Sequence, residues 1–303
     1  DEEAGAELPM LGGVGWGVLG ERAPEGGGSF DNVLEAGIAE LMVSCFNGFG
    51  DALTDDVMFQ WHRLVCAGRT DLTVIGGYRD HTTPMQVVSG PIQKLVVHFE
   101  APPSKLMHSE MTRFFAWFEA SDLPALTKAA LAHLYFVTIH PFDDGNGRIA
   151  RAITDMALAR SERSPQRFYS MSTQIEAERK AYYDTLERTQ KGGLDVTGWM
   201  GWFLGCLHRA IDGAQDVLSA VTAKAEFWER AAKLPLNERQ IKVLNRMLDG
   251  FEGKMTSSKW AKIAKCSQDS ANRDIAALIG YGLLEKGLAG GRSTHYVVGA
   301  KQS

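Results

Sequence analysis

The sequence predicts a mainly helical protein in two parts: a helical body that carries one β-hairpin, and a C-terminal module of three helices and a two-stranded wing. Three observations predict it. Apolar residues recur at helical spacing through most of residues 31–234. That period gives way to short β-branched runs only near 85–99 and again near 283–298. The charge divides with the pattern: eight basic residues oppose three acidic ones over 254–303, a balance of +5, leaving −10 on residues 1–253 of a chain whose net charge is −5.

Length and composition exclude several classes. The 303 residues are 45% hydrophobic and 23% charged, an ordinary globular balance that excludes collagen-like, low-complexity and wholly disordered chains. Apolar runs such as Trp199–Leu207 end at His208 and Arg209, short of the ~18–20 residues of a membrane span. No charged and then apolar leader opens the chain. Cys45, Cys66, Cys206 and Cys266 are far apart and form no C-x-x-C pair. They are expected as reduced thiols of a cytoplasmic protein with no membrane partner.

Taken in order, residues 1–30 are an irregular segment. Nine of the 32 glycines fall in residues 1–28. Gly15-x-Gly17-x-x-Gly20 matches the dinucleotide fingerprint formally, but Pro9 precedes it and Pro24-Glu25-Gly26-Gly27-Gly28 follows it, so it lacks the strand and helix that the motif needs. A body of residues 31–234 starts with a helix whose Val33, Leu34, Ile38 and Leu41 share a face. Thr54-Asp55-Asp56 caps a second helix that ends near Cys66. Met85–Val88 and Leu95–Phe99 form the hairpin, with Ser89-Gly90-Pro91 between them and Pro102-Pro103 closing it. Helices are expected at about 104–119, 124–139, 147–161, 173–190 and 195–232. The segment Leu126–Ile139 is apolar nearly all round, which predicts a buried helix with His133 as a core histidine. Thr173-x-x-Glu176 reads as a capping box.

Pro235 opens a third segment, 235–303. Its helices run from Leu236 to about Leu248, from a cap at Thr256 or Ser257, and over Gln268–Ile279 after a turn at Cys266-Ser267. Leu283–Glu285 and Thr294–Val298 make the wing, and the whole reads as a winged helix-turn-helix. Gln268, Ser270, Asn272 and Arg273 on the third helix, and Arg292 at the wing tip, offer groups for DNA bases or phosphates. Dimerisation or protein docking is the competing use.

The chemistry concentrates in His140-Pro141-Phe142-Asp143-Asp144-Gly145-Asn146-Gly147-Arg148-Ile149-Ala150-Arg151. Pro141 stops the preceding helix. Gly145 and Gly147 permit a tight turn and close approach of a ligand, and Asn146 tolerates left-handed backbone. A helix then begins, and a glycine loop on a helix N-terminus is an anion site. Arg148 and Arg151, three apart, share a face and can fork onto phosphates. Asp144 offers a hard oxygen to Mg²⁺. His140 has the near-neutral pKa of a general base. His62 and His98 read as packing or hairpin residues.

This stretch resembles the Fic family signature, H-x-F-x-(D/E)-G-N-G-R-x-x-R, at every fixed position. Trp61-His62, Gly77-Tyr78-Arg79, Met85–Gly90, Val97–Pro103, Arg167–Ser170 and Tyr182-Tyr183 extend the resemblance to the bacterial subgroup with a C-terminal winged helix. It implies a Fic helical bundle with a β-hairpin flap, and transfer of AMP from ATP, with Mg²⁺, to a Ser, Thr or Tyr hydroxyl of a protein target, the chain itself included. It assigns His140 as the base, Phe142 as the packing anchor, and Asp144 as the Mg²⁺ ligand. Gly145, Asn146 and Gly147 become the anion hole, with Arg148 and Arg151 on the outer phosphates. Tyr182 and Tyr183 fall beside adenine, with a core role for one of them equally in view. Val87, Val88, Val97 and His98 become the flap that pairs with the target by strand addition. A homodimer fits the same resemblance. The competing function is a DNA-binding regulator whose body is a sensor or vestige, and a third is a Doc-type kinase, which departs from G-N-G-R. No inhibitory (S/T)-x-x-x-E-(G/N) pattern occurs in residues 1–50. Glu2 and Glu3 are the nearest candidates, so weak self-inhibition is expected, with Arg151 open to the γ-phosphate.

Overall fold

The computed structural model describes residues 29–91, 94–287 and 294–299. The glycine-rich segment with its Gly15-x-Gly17-x-x-Gly20 match, Glu2, Glu3 and Arg292 lie outside the described residues. The chain forms two compact units, Asp1–Ala214 and Gln215–Ser303.

The first unit is a helical bundle with one hairpin. Helix α1 is Ser29–Asn47 and α2 is Asp55–Val65. Thr54 caps α2 as expected, its side chain accepting from Val57 N. Helix α1 starts before the expected Asp31, and its buried face is Leu34, Ile38, Leu41 and Cys45. Val33 is 43% exposed and off that face, because the helical period rotates it toward solvent. Strands β1 (Gln86–Ser89) and β2 (Val96–Glu100) pair antiparallel, with a bulge between Val87 and Val88. A 3₁₀ turn at Ser104–Leu106 leads into α3 (Met107–Ala120). Helices α4 (Ala125–Ile139) and α5 (Asn146–Glu162) are the centre of the bundle. Ala129, Ala130, Phe136 and Ile139 of α4, and Ile149, Ala150, Ala152 and Ile153 of α5, are all buried. The small residues let the two backbones approach closely.

The helix expected over 173–190 is two helices, α6 (Met171–Ala177) and α7 (Arg179–Lys191). Ser170, not Thr173, is the N-cap, its hydroxyl accepting from Thr173 N at 3.1 Å. The Thr173–Glu176 capping box is therefore not formed. The break falls at Glu178, whose carboxylate accepts two hydrogen bonds from Arg209 at 2.6 Å each. Helix α8 spans Thr197–Ala231. The division between the units falls within it, earlier than the expected 234/235, because Phe227 and Ala231 belong to the second core.

The second unit contains α9 (Glu238–Leu248), α10 (Ser257–Ala264), α11 (Gln268–Gly280) and the antiparallel pair β3 (Leu284–Lys286) and β4 (Tyr296–Val298). Each helix is capped from the sequence: Asn237 with Gln240 in a capping box, Thr256 on Lys259 N, and Ser267 on Ser270 N. Val243, Leu244, Trp260, Ala271, Ile275 and Leu278 fill its core. Among the described residues the four cysteines are free thiols, and no helix is long and apolar enough to cross a membrane.

Two buried histidines make the body acid-sensitive. Thr154 Oγ1 donates to Ala150 O and so accepts from His133 Nδ1 at 2.9 Å; His133 Nε2 then accepts from Tyr182 OH at 2.9 Å. His62 Nδ1 accepts from Gly76 N at 3.0 Å. Burial, ahead of any charge, pushes His133 down to about 3 and His62 down to about 4. A folded pKa below the unfolded one means that stability is complete above about 6.5 and is lost as pH falls toward these values. Each of the two, and likewise His140 with its ring at about 4, should take up about one proton on unfolding between pH 6 and 5, lowering stability by roughly 1 kcal/mol per pH unit for each histidine. Denaturant unfolding at pH 7.5, 6 and 5 checks this; equal stability at all three would contradict it.

Candidate functional site

The site is the reversal between α4 and α5. Helix α4 ends on His140 in left-handed backbone, φ 51 and ψ 59. Pro141 does stop the helix, yet residue 140 goes left-handed rather than extended. Gly145, φ 79, is the second left-handed residue and caps α5. A Cβ there would stand 2.7 Å from Val65 Cγ2, so the position needs glycine twice over.

Asn146 is not the left-handed residue. It is the first residue of α5 and wholly buried. Its Oδ1 accepts from Phe142 N at 3.0 Å and its Nδ2 donates to Phe142 O at 2.8 Å. The side chain expected at the anion therefore closes the loop instead. Gly147 lies inside α5 and makes no turn; its bare face leaves 3.7 Å between an added Cβ and Arg151 Nη1. Phe142 is buried as expected, stacked 4.1 Å from the His62 ring. The loop is thus pinned from inside, and it ends at the N-terminus of α5, where the first turn of a helix leaves N–H groups without intrahelical partners.

His140 is partly buried. Its Nδ1 lies 3.3 Å from Val137 O. A carbonyl only accepts, so Nδ1 carries the proton and Nε2 offers a lone pair. Burial pushes the ring down to about 4, with the neighbouring Arg79 cation adding to it and Asp144 opposing. The imidazole is therefore neutral and basic in form at pH 7.

Asp144 Oδ1 accepts from its neighbour Gly145 N at 2.6 Å, and Oδ2 is ion-paired with Arg69. Arg69 in turn forks onto Asp71 at 2.6 and 2.7 Å. Among the described residues no three His, Cys, Asp or Glu side chains stand together as a metal site. A single carboxylate beside an anion-binding helix end suits Mg²⁺, which completes its shell with phosphate oxygens and waters. Arg148 and Arg151 are 5% and 2% exposed. Arg148 Nη1 donates to Val65 O at 3.1 Å, so part of its fork caps α2 rather than facing a ligand.

Val88 and Val97 on the hairpin are exposed, and Val87 is half-buried. His98 is fixed between Ser89 Oγ at 2.6 Å and Glu187 Oε2 at 2.7 Å, which ties β2 to α7. Tyr182 is 2% exposed with its hydroxyl on His133, so it takes the core role; Tyr183, 40% exposed, is the tyrosine open to a ligand. His62 packs on Phe142, in line with its reading as a packing residue; sequence reasoning missed Arg69 and Arg79 as parts of this site. Arg79 had a signal, the Gly77-Tyr78-Arg79 resemblance, but no role; Arg69 had none, because its partner is distant in sequence.

Residues 52–158 match the family model described as the Fic/DOC family. A uridine 5'-monophosphate transferase of Xanthomonas campestris pv. campestris is 42% identical over 67 residues, 20% of this chain and 12% of that protein. A protein adenylyltransferase Fic of Nematostella vectensis is 30% identical over 168 residues, 54% of this chain and 34% of that one. The chain therefore spans about a third or less of the length of these relatives. A Fic domain-containing signaling protein of Bacteroides thetaiotaomicron has a similar fold, with TM-score 0.51 and 19% identity over 64% of this chain and 74% of that chain.

Gly145→Ala should destabilise the protein by roughly 1–3 kcal/mol, from left-handed strain and the Val65 clash together. Gly147→Ala, in a helix with room for a methyl group, should change stability by less than about 1 kcal/mol. Denaturant midpoints of the two variants check the contrast, and equal losses would contradict it.

Proposed function

We propose that this chain, which carries a Fic/DOC family domain over residues 52–158, is a protein adenylyltransferase that moves AMP from ATP to a Ser, Thr or Tyr hydroxyl of a protein target. The observation that carries the reading is the neutral His140 imidazole, its Nε2 lone pair unspent, on the loop that ends at the N-terminus of α5. His140 takes the hydroxyl proton. The acceptor oxygen bonds to the α-phosphorus, the bond from that phosphorus to the β-phosphate bridge oxygen breaks, and pyrophosphate leaves. The N–H groups of Asn146 and Gly147 and the Arg151 guanidinium would bind the phosphates, with Gly145 N already given to Asp144 Oδ1 and Arg148 contributing what its bond to Val65 leaves over. Asp144 would hold Mg²⁺, which supplies charge neutralisation on the phosphates, and Arg69 would keep that carboxylate oriented.

Exposed Val88 and Val97 would take the target segment as an added strand. ATP is preferred to UTP as donor because the adenylyltransferase relative matches 54% of the chain, against 20% for the uridine 5'-monophosphate transferase. We also read the second unit as a winged helix-turn-helix: α11 follows a left-handed turn at Lys265 and exposes Gln268, Asn272 and Arg273. DNA binding there is compatible with the transferase reading, and a regulator with an inert body is disfavoured by the intact His140–Arg151 loop.

The test is incubation of the protein and a lysate with ATP or UTP labelled at the α-phosphate, with Mg²⁺. Label should enter protein from ATP, and His140→Ala should lower the rate by roughly 100-fold or more while ATP binding persists. Label from UTP alone would transfer the reading to a uridylyl donor, and undiminished labelling by His140→Ala would overturn the assignment of the base. The rate should stay level from pH 8 to 6, because the His140 base is lost only as pH falls toward about 4; a decline centred near 6.5 would contradict that.

A further inference from the structure

His140 does not hold its left-handed backbone unaided. A non-glycine residue in that region costs on the order of 1 kcal/mol and persists only where its surroundings fix it. One residue, Arg79, donates to three successive carbonyls at this turn. Its backbone N–H donates to Pro141 O at 3.0 Å, its Nε to His140 O at 2.8 Å, and its Nη2 reaches Ile139 O at 3.5 Å. The same Nη2 donates to Pro102 O, just beyond β2. Arg79 is itself 2% exposed and lies in neither helix nor strand. Its charge sits against the C-terminal carbonyls of α4, where the helix leaves acceptors unpaired and the dipole favours a cation.

We propose that Arg79 is a positioning residue for His140: by joining the His140 carbonyl to Pro102 at the base of the hairpin, it fixes the imidazole relative to the flap on which the target segment bearing the acceptor hydroxyl would pair. The kinetic part of this inference rests on the transfer reading given above; the structural part does not. The guanidinium is needed for its shape as well as its charge. Two nitrogens of one rigid plane, Nε and Nη2, reach the two carbonyls, and the single ammonium of lysine cannot span them.

The test compares Arg79→Lys and Arg79→Ala with wild type by two readouts. The first is the His140 backbone Cα and Cβ chemical shift in histidine-labelled protein, which reports left-handed geometry without any reaction. Both variants should move the His140 signal while the His133 signal, from two turns back along α4, stays in place. The second is the split of the kinetic constants. kcat for nucleotide transfer should fall by roughly 100-fold, the scale of an ångström misplacement, with the nucleotide KM within about threefold. Lysine should not rescue kcat although it restores the charge. An unmoved His140 signal, or a kcat restored by lysine, overturns the proposal. If Arg79→Ala does not fold, Arg79→Lys and Arg79→Gln carry the comparison. If wild type transfers no nucleotide, the transfer reading fails, and the His140 signal alone decides the role of Arg79.

Discussion

The rest of the structure depends on one backbone constraint. Helices α4 and α5 pack against each other through alanines, and the chain must reverse between them over His140–Gly145. It does so with left-handed backbone at both ends of the loop, on a histidine and on a glycine. Asn146 closes the loop by satisfying both polar groups of Phe142, and Phe142 drives its ring under the turn onto His62. Every group with chemistry is then placed by that turn: His140 at one helix end, the first turn of α5 at the other, and Asp144 between them.

Electrostatics follow from the same geometry. The end of α4 presents carbonyls and receives the Arg79 cation, while the start of α5 presents N–H groups and suits an anion. Asp144 is bound directly by Arg69, and Arg148 and Arg151 are buried on the helix that follows. Burial lowers the basicity of His140 and keeps it neutral. The arrangement favours a bound polyphosphate and a proton acceptor that is already empty, which is what attack by a hydroxyl requires.

Much of this was legible in the sequence, and the failures have physical causes. The caps at Thr54 and Thr256 are local, so local residues reveal them. The buried character of α4 was legible because apolar residues surround it. The break between α6 and α7 was hidden, because the helical spacing continues across Glu178 and Arg209, which grips it, lies 31 positions away. Asn146 is helical rather than left-handed for a related reason: its type tolerates left-handed backbone, but Gly145 beside it is cheaper there, and the Asn146 amide closes the loop. The bond from Arg148 to Val65 O and the hold of Arg69 on Asp144 join residues 83 and 75 positions apart. No spacing rule reaches such pairs.

The proposed transfer requires that this loop direct attack at the α-phosphorus rather than at the terminal one. Two parallel reactions, one with ATP labelled at the α-phosphate and one at the γ-phosphate, test it most directly when the modified protein is digested and the adduct identified by mass spectrometry. The account predicts label on protein from the α-position only, an adenosine monophosphate adduct on a hydroxyl side chain, and label in free pyrophosphate from the γ-position. Protein labelled from the γ-position, with a simple phosphate adduct and free ADP, would contradict it.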